Sequence, residues 1–189
     1  MRKIISFNHI SLDGFVASED GELNWVKIDD EIFNFVAKRI LKGDSALYGR
    51  KTYQLMESYW PKAGEKVNAT NHEINHSNWY NKMKKIVLSN TLQNDKTKNL
   101  TVINDNLKES LNKIKEQDGE DILLFGSPST THSLLGFDLI DGYWLFVNPT
   151  ILGKGIPLFK HTNKTNLKLV GSSHKFASGV TELNYLVER

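Results

Sequence analysis

Cysteine is absent from the 189 residues, which excludes disulfides and thiolate metal sites alike. No apolar stretch approaches the roughly 20 residues of a membrane span, and the opening MRKIISFNHISLDG lacks an h-region of signal-peptide length. A soluble, cytoplasmic protein without membrane contact is expected. An excess of one charge is lacking too. The formal net charge is +2, and the basic residues are spread along the chain with no arm or stripe, which argues against nucleic acid as a partner. The length suits a single domain over residues 1–189.

What is present converges on residues 121–159, where two apolar runs alternate with glycine turns. Ile122, Leu123, Leu124 and Phe125 run without a polar break into Gly126, as expected of a strand covered on both faces. Ser127 and Pro128 then suit a helix start, serine as cap and proline as a residue with no donor to leave unpaired. The helix ends near Gly136. Its free N–H groups at Ser127–Thr130 would point out of the carboxyl end of a strand, where open α/β sheets bind anionic ligands. Gly126 is equally compatible with a tight turn and nothing more.

The same logic appears earlier. Ser45–Tyr48 read as a short strand, Gly49 as a turn, and Arg50, Lys51 and Thr52 as the start of a helix suited to a diphosphate. Residues 3–10 read as a first strand that opens into a turn at Asp13 and Gly14, followed by a covering loop with Leu23 and Trp25. Ile32, Phe33, Val36, Ala37 and Ile40 have the spacing of an amphipathic helix over 29–42, with Asp29 or Asp30 at its start. Strands follow at Lys85–Leu88 and Leu100–Ile103, and a helix around Leu107, Leu111 and Ile114 with Asn104 or Asp105 as cap. Strands at 143–147, 167–172 and 181–187 have no helix between them, the last two flanking a turn at Ser178 and Gly179. A mixed, mainly parallel sheet with an antiparallel end is expected.

Residues 61–82 carry His72, Glu73 and His76, the letters of an H-E-x-x-H zinc motif. The polar, asparagine-rich surroundings read as a surface loop and a third ligand is not evident, so no metal is assigned.

SLDGFVAS, LNW, YGRKTYQLM, VLSNTL, ILLFGS and DLIDGYWLFVNPTILGKGIPLF, in this order and spacing, resemble the dihydrofolate reductase-like family that includes the C-terminal reductase domain of bacterial riboflavin biosynthesis. The resemblance covers nearly the whole chain and is closest to small stand-alone members. It implies a three-layer α/β fold with helices on both faces of the sheet, a pyridine-nucleotide cofactor, NADPH with NADH as the alternative, and a homodimer paired through strands near the C-terminus. The diphosphate would fall on Gly49, Arg50, Lys51 and Thr52 from one side and on Gly126, Ser127, Ser129 and Thr130 from the other. Val16 and Ala17 would lie along the nicotinamide, and Leu88, Ser89 and Asn90 around the adenosine 2′-phosphate.

Three departures stand out. Many relatives have a cation where Asn90 stands, and Lys51 is the candidate replacement. Many have a doubled glycine at Gly126–Ser127, and Asp-Glu at Asp141–Gly142. In dihydrofolate reductases an acidic residue five positions after the lid tryptophan binds the pterin. Counting from Trp25 gives Asp30, which as a buried carboxyl would orient a ring or relay a proton and is otherwise a helix-start charge. The resulting expectation is a hydride-transferring reductase of a small pterin- or pyrimidine-type heterocycle, with Trp25 and Asp30 at the substrate. The alternatives are the riboflavin-pathway 5-amino-6-(ribosylamino)uracil reductase and a non-catalytic nucleotide-binding module.

Overall fold

The computed structural model describes residues 1–160 and 162–189. In chain order the elements are β1 (Ile4–Ser11), β2 (Phe15–Ala17), α1 (Asp30–Ile40), β3 (Ser45–Gly49), α2 (Arg50–Ala63), α3 (Asn71–Lys82), β4 (Lys84–Leu88), β5 (Leu100–Ile103), α4 (Leu107–Lys115), β6 (Ile122–Leu124), α5 (Pro128–Leu135), β7 (Gly142–Asn148), β8 (Ile156–Pro157), β9 (Leu167–Leu169), β10 (His174–Lys175) and β11 (Thr181–Val187).

Among the described residues nine strands form one sheet in the order β10, β11, β7, β1, β6, β3, β4, β5, with β9 also on β11. The ladders from β7 to β5 are parallel, and β11 runs antiparallel to β7, β9 and β10. β2 and β8 make a separate ribbon.

The uninterrupted apolar runs follow from burial on both faces. Ile5, Ala46, Tyr48, Val87, Leu123, Trp144 and Phe146 enter one core with α1, α2 and α3, whereas Ile4, Leu47, Ile86, Ile122, Leu124 and Leu145 enter the other with α4 and α5. Neighbouring residues on a strand take opposite sides because the side-chain period is two. The result is the expected three-layer α/β architecture.

The two edges of the parallel strands differ in kind. At the N-terminal edge charges are used up in ion pairs, two of them with a buried member. Arg2, 4% exposed, pairs with Asp44 and donates to Ser45 Oγ at 2.8 Å and to the Glu120 carbonyl at 2.6 Å. Asp141 accepts from the Ile4 amide at 2.9 Å, from Lys115 Nζ at 2.6 Å and from Arg189 at 2.9 Å. The C-terminal edge, where β3, β5 and β6 lead into helices, has no such locks among the described residues and holds a groove.

Several local expectations differ from what the chain does. Residues 61–82 are mostly helical, with a loop only over 64–70. Pro61 sits in the last turn of α2, and α3 opens with a reciprocal capping box between Thr70 and Glu73, which overrides the weak helix propensity of its asparagines. The cap position of α4 is Asn106, in the left-handed region. At the C-terminal end the 167–172 strand contracts to β9, and the turn at Ser178 and Gly179 joins β11 to the two-residue β10.

Candidate active site

Each of the five helices begins with four N–H groups that the helix itself cannot satisfy. In α1 the Asp29 carboxylate accepts from the Ile32 amide at 2.9 Å, and in α3 the capping box serves. The starts of α2, α4 and α5 have no side-chain cap. These three helices follow β3, β5 and β6, and residues from all three line one groove of about 820 Å³. The Ser127 hydroxyl, expected to cap α5, instead faces Ser129 Oγ at 2.9 Å and Thr130 Oγ1 at 3.3 Å.

The groove brings together Arg50, Leu88, Ser89, Asn90, Ser129 and Thr130 from the sequence reading. Gly49, Gly126 and Ser127 stand beside the groove without lining it, the two glycines tied by a Gly49 N–H to Gly126 carbonyl bond of 2.9 Å. A β-carbon on Gly49 would stand 2.3 Å from Thr130 Oγ1, so only glycine lets the two turns close on each other. Gly126 adopts φ +88°, and its peptide bond to Ser127 is cis.

Other candidates lie outside. Lys51 is exposed and Thr52 half-buried on α2, and neither lines the groove. The α4 wall of the groove carries a cation, Lys108, accompanied by Asn104 and Asp105, none of which the sequence assigns to the site. Only the strand-end position of 104–105 hinted at them. Val16 and Ala17 are buried in β2, Val16 in the α4–α5 core.

Beside the groove, on the α1–α3 side of the sheet, is a second cavity of about 240 Å³ lined by both strand cores and helices. Tyr48 faces it and Arg50, two residues on, lines the groove, so the end of β3 contributes to both spaces. Its polar side chains include His9 of β1 and His72 and His76 of α3. Burial pushes His9 and His76 down to about 4 and also lowers His72, so all three rings are neutral at pH 7. His72 and His76 do share a face, with ring centroids 5.6 Å apart, and Trp60 packs 3.8 Å from the His76 ring. Among the described residues no group of three or more His, Asp or Glu side chains converges as a metal site.

Asp30 is exposed on the first turn of α1 and does not line the cavity, so the buried carboxyl anticipated there is absent. The helix start needs a carboxylate one residue earlier, at Asp29, and this turns Asp30 toward water. Trp25 is half-buried outside the cavity lining, its indole N–H enclosed without a partner. Its loop is tied down by Asn148, a fully buried residue the sequence reading passed over, whose Oδ1 accepts from the Lys27 amide at 2.9 Å.

A mainly parallel sheet flanked by helices on both faces, with a groove at its carboxyl edge and an antiparallel C-terminal end, defines the dihydrofolate reductase-like class. A family model for the RibD C-terminal domain matches residues 2–181. The chain belongs to that family. The Bacillus subtilis protein YyaP, itself uncharacterized, is 35% identical over 188 residues, covering 97% of this chain and 94% of YyaP. Among solved structures, a Shewanella sp. PV-4 protein provisionally assigned to riboflavin biosynthesis superposes with a TM-score of 0.73 at 20% identity, covering 99% of each chain. The Thermotoga maritima diaminohydroxyphosphoribosylaminopyrimidine deaminase/5-amino-6-(5-phosphoribosylamino)uracil reductase gives 0.66 at 15% identity, over 98% of this chain and 56% of that one. No helix among the described residues is long and apolar enough to cross a membrane.

Proposed function

We propose that the protein is an NADPH-dependent oxidoreductase that transfers a hydride to a small heterocyclic substrate. The observation that carries this reading is the grouping of the three uncapped helix starts around one groove. Unsatisfied N–H groups and positive helix ends are what a diphosphate requires, and Arg50 adds a planar, two-pronged donor. Ser127, Ser129 and Thr130 would hold the diphosphate from the α5 side. Asn90, Asn104 and Lys108 would meet the adenosine end, where Lys108 stands in for the cation absent at Asn90.

The bound nicotinamide supplies the hydride. The chain itself supplies position and a largely apolar chamber on the α1–α3 side of the sheet, in which the acceptor loses most of its water. A second reading, the reductase step on a phosphoribosylamino-pyrimidine, is favoured by the family match and by the name of the Thermotoga relative.

Thermal unfolding with NADPH, with NADH and without nucleotide tests the reading, alongside an Arg50→Ala variant. NADPH at 100 times its Kd adds about 2.7 kcal/mol, or roughly 5–11 °C for a chain of this size. The shift is expected to shrink in Arg50→Ala. Absence of any shift with either nucleotide refutes the reading, and a larger shift with NADH reassigns the cofactor.

A further inference from the structure

The cavity beside the groove has a chemical character that narrows what it accepts. Among the described residues none of its lining side chains is lysine, arginine, aspartate or glutamate. Its hydrogen-bonding capacity comes chiefly from imidazoles, and burial keeps these uncharged at neutral pH. Asp30 and Glu73 lie near enough to raise the His72 pKa, but the desolvation that lowers it is larger.

The ring nitrogens of His72 and His76 have no hydrogen-bond partner among the described residues, and neither is sealed off. They are free to meet a ligand's donor or acceptor, since a neutral imidazole offers one of each. The walls are aromatic: Phe7 and Phe125 pack edge to face at 5.5 Å, and Tyr48 stacks on Phe125 at 5.5 Å. At the rim Ile28 and Phe33 remain 50% and 39% exposed, an apolar mouth held in water.

A phosphate monoester carries close to two negative charges, and moving them into such a chamber without a cation is costly. An uncharged flat ring loses little solvation and gains area against Phe7, Phe125 and Trp60. We propose that the acceptor is an uncharged, planar, unphosphorylated ring compound, hydrogen-bonded by His72 and His76, and that phosphoribosyl-pyrimidines are not the substrates of this chain. The inference rests on the reductase reading for its meaning, but it is tested separately.

The test is calorimetric titration of the whole protein with 1-naphthol and with 1-naphthyl phosphate, which share a ring and differ by the ester. The naphthol is expected to bind and the ester to bind weaker by roughly 100-fold or more. A Met56→Trp variant, which fills the cavity from α2, should lose at least tenfold in naphthol affinity while keeping the wild-type melting shift with NADPH. Equal or tighter binding of the ester overturns the proposal, as does failure of wild-type protein to bind the naphthol. Unchanged naphthol affinity in Met56→Trp overturns the placement. Should Met56→Trp fail to fold, Phe33→Trp at the exposed rim replaces it with the same expectation. Naphthol binding without an NADPH shift would sink the reductase reading and leave the cavity assignment standing.

Discussion

Replacing Gly49 by alanine sets the groove's two walls against each other. The new methyl would lie 2.3 Å from Thr130 Oγ1, 3.0 Å from Ser127 Oγ and 3.4 Å from the Ser127 amide nitrogen. The first contact is about 1 Å inside ordinary separation. Thr130 is only 6% exposed and β-branched on a helix, so its rotamers are few, and Ser127 occupies one way out. The start of α5 must therefore move away from β3. Overpacking of this kind costs about 2 kcal/mol, or roughly 4–8 °C in Tm for a chain of this size. The shift also displaces the N–H groups offered to the diphosphate, and losing two charge-assisted hydrogen bonds would weaken NADPH by roughly 100-fold.

Paired melting and titration with NADPH measure both effects. The structure also specifies a suppressor. Thr130→Ala removes the nearest atom and leaves Ser127 Oγ, a hydroxyl free to rotate, so the double variant should recover most of the Tm lost by Gly49→Ala. A Gly49→Ala protein that melts with wild type, or a double variant no more stable than the single one, refutes the reasoning.

Two further outcomes follow from the same structure. His9 and His76 are held near 4 in the folded state against an ordinary value of 6.5, so the unfolded chain binds protons first as pH falls. Stability is full above about 6.5 and drains away toward 4, by roughly 3.4 kcal/mol per ring at most; denaturant titrations at pH 7 and 4.5 should show a smaller loss in His9→Gln/His76→Gln, and an unchanged loss would refute the assignment. Asp141→Ala strands Lys115, which is 4% exposed, and removes the acceptor of the Ile4 amide. It should cost about 3–5 kcal/mol in a guanidinium titration, and a cost below about 1 kcal/mol would show the node to be dispensable.

Much of this was legible in the sequence because the runs at 46–48, 86–88 and 122–125 carry no charged or amide side chain, as burial on both faces requires. The two glycine turns were legible for a similar reason, since each follows directly on such a run. α3 was not, because its helical periodicity is faint, although Thr70 and Glu73 stand three apart as a capping box requires. Asp30 shows the limit of counting along the chain: one residue of difference on a helix start rotates a carboxyl by about 100°, and it is Asp29 that caps. Lys108, Asn104 and His9 depend on which strand ends come side by side, a long-range fact without a local signal. The loss of the acidic residue at position 142 does acquire a reason. A β-carbon on Gly142 would meet the Tyr185 carbonyl at 2.6 Å, so here β11 packs too close to β7 for any side chain.

The placing of Tyr48 before Gly49, and of Phe125 before Gly126, has a bearing on how such a protein changes over time. At each strand end an aromatic residue that lines the cavity is followed directly by the glycine on which the groove's helix start turns, a spacing of roughly 3.3 Å set by the backbone. A substitution there would disturb the proposed donor and acceptor sites together and has little room to be tolerated. His72, His76, Trp60 and Phe33 are carried instead by α1, α2 and α3, which the groove does not use beyond the α2 start. On the proposed reading, new substrates would be acquired by rewriting three helix faces while the nucleotide end stays as it is. The same division offers an engineer a place to begin: randomise the helices and leave the strands alone.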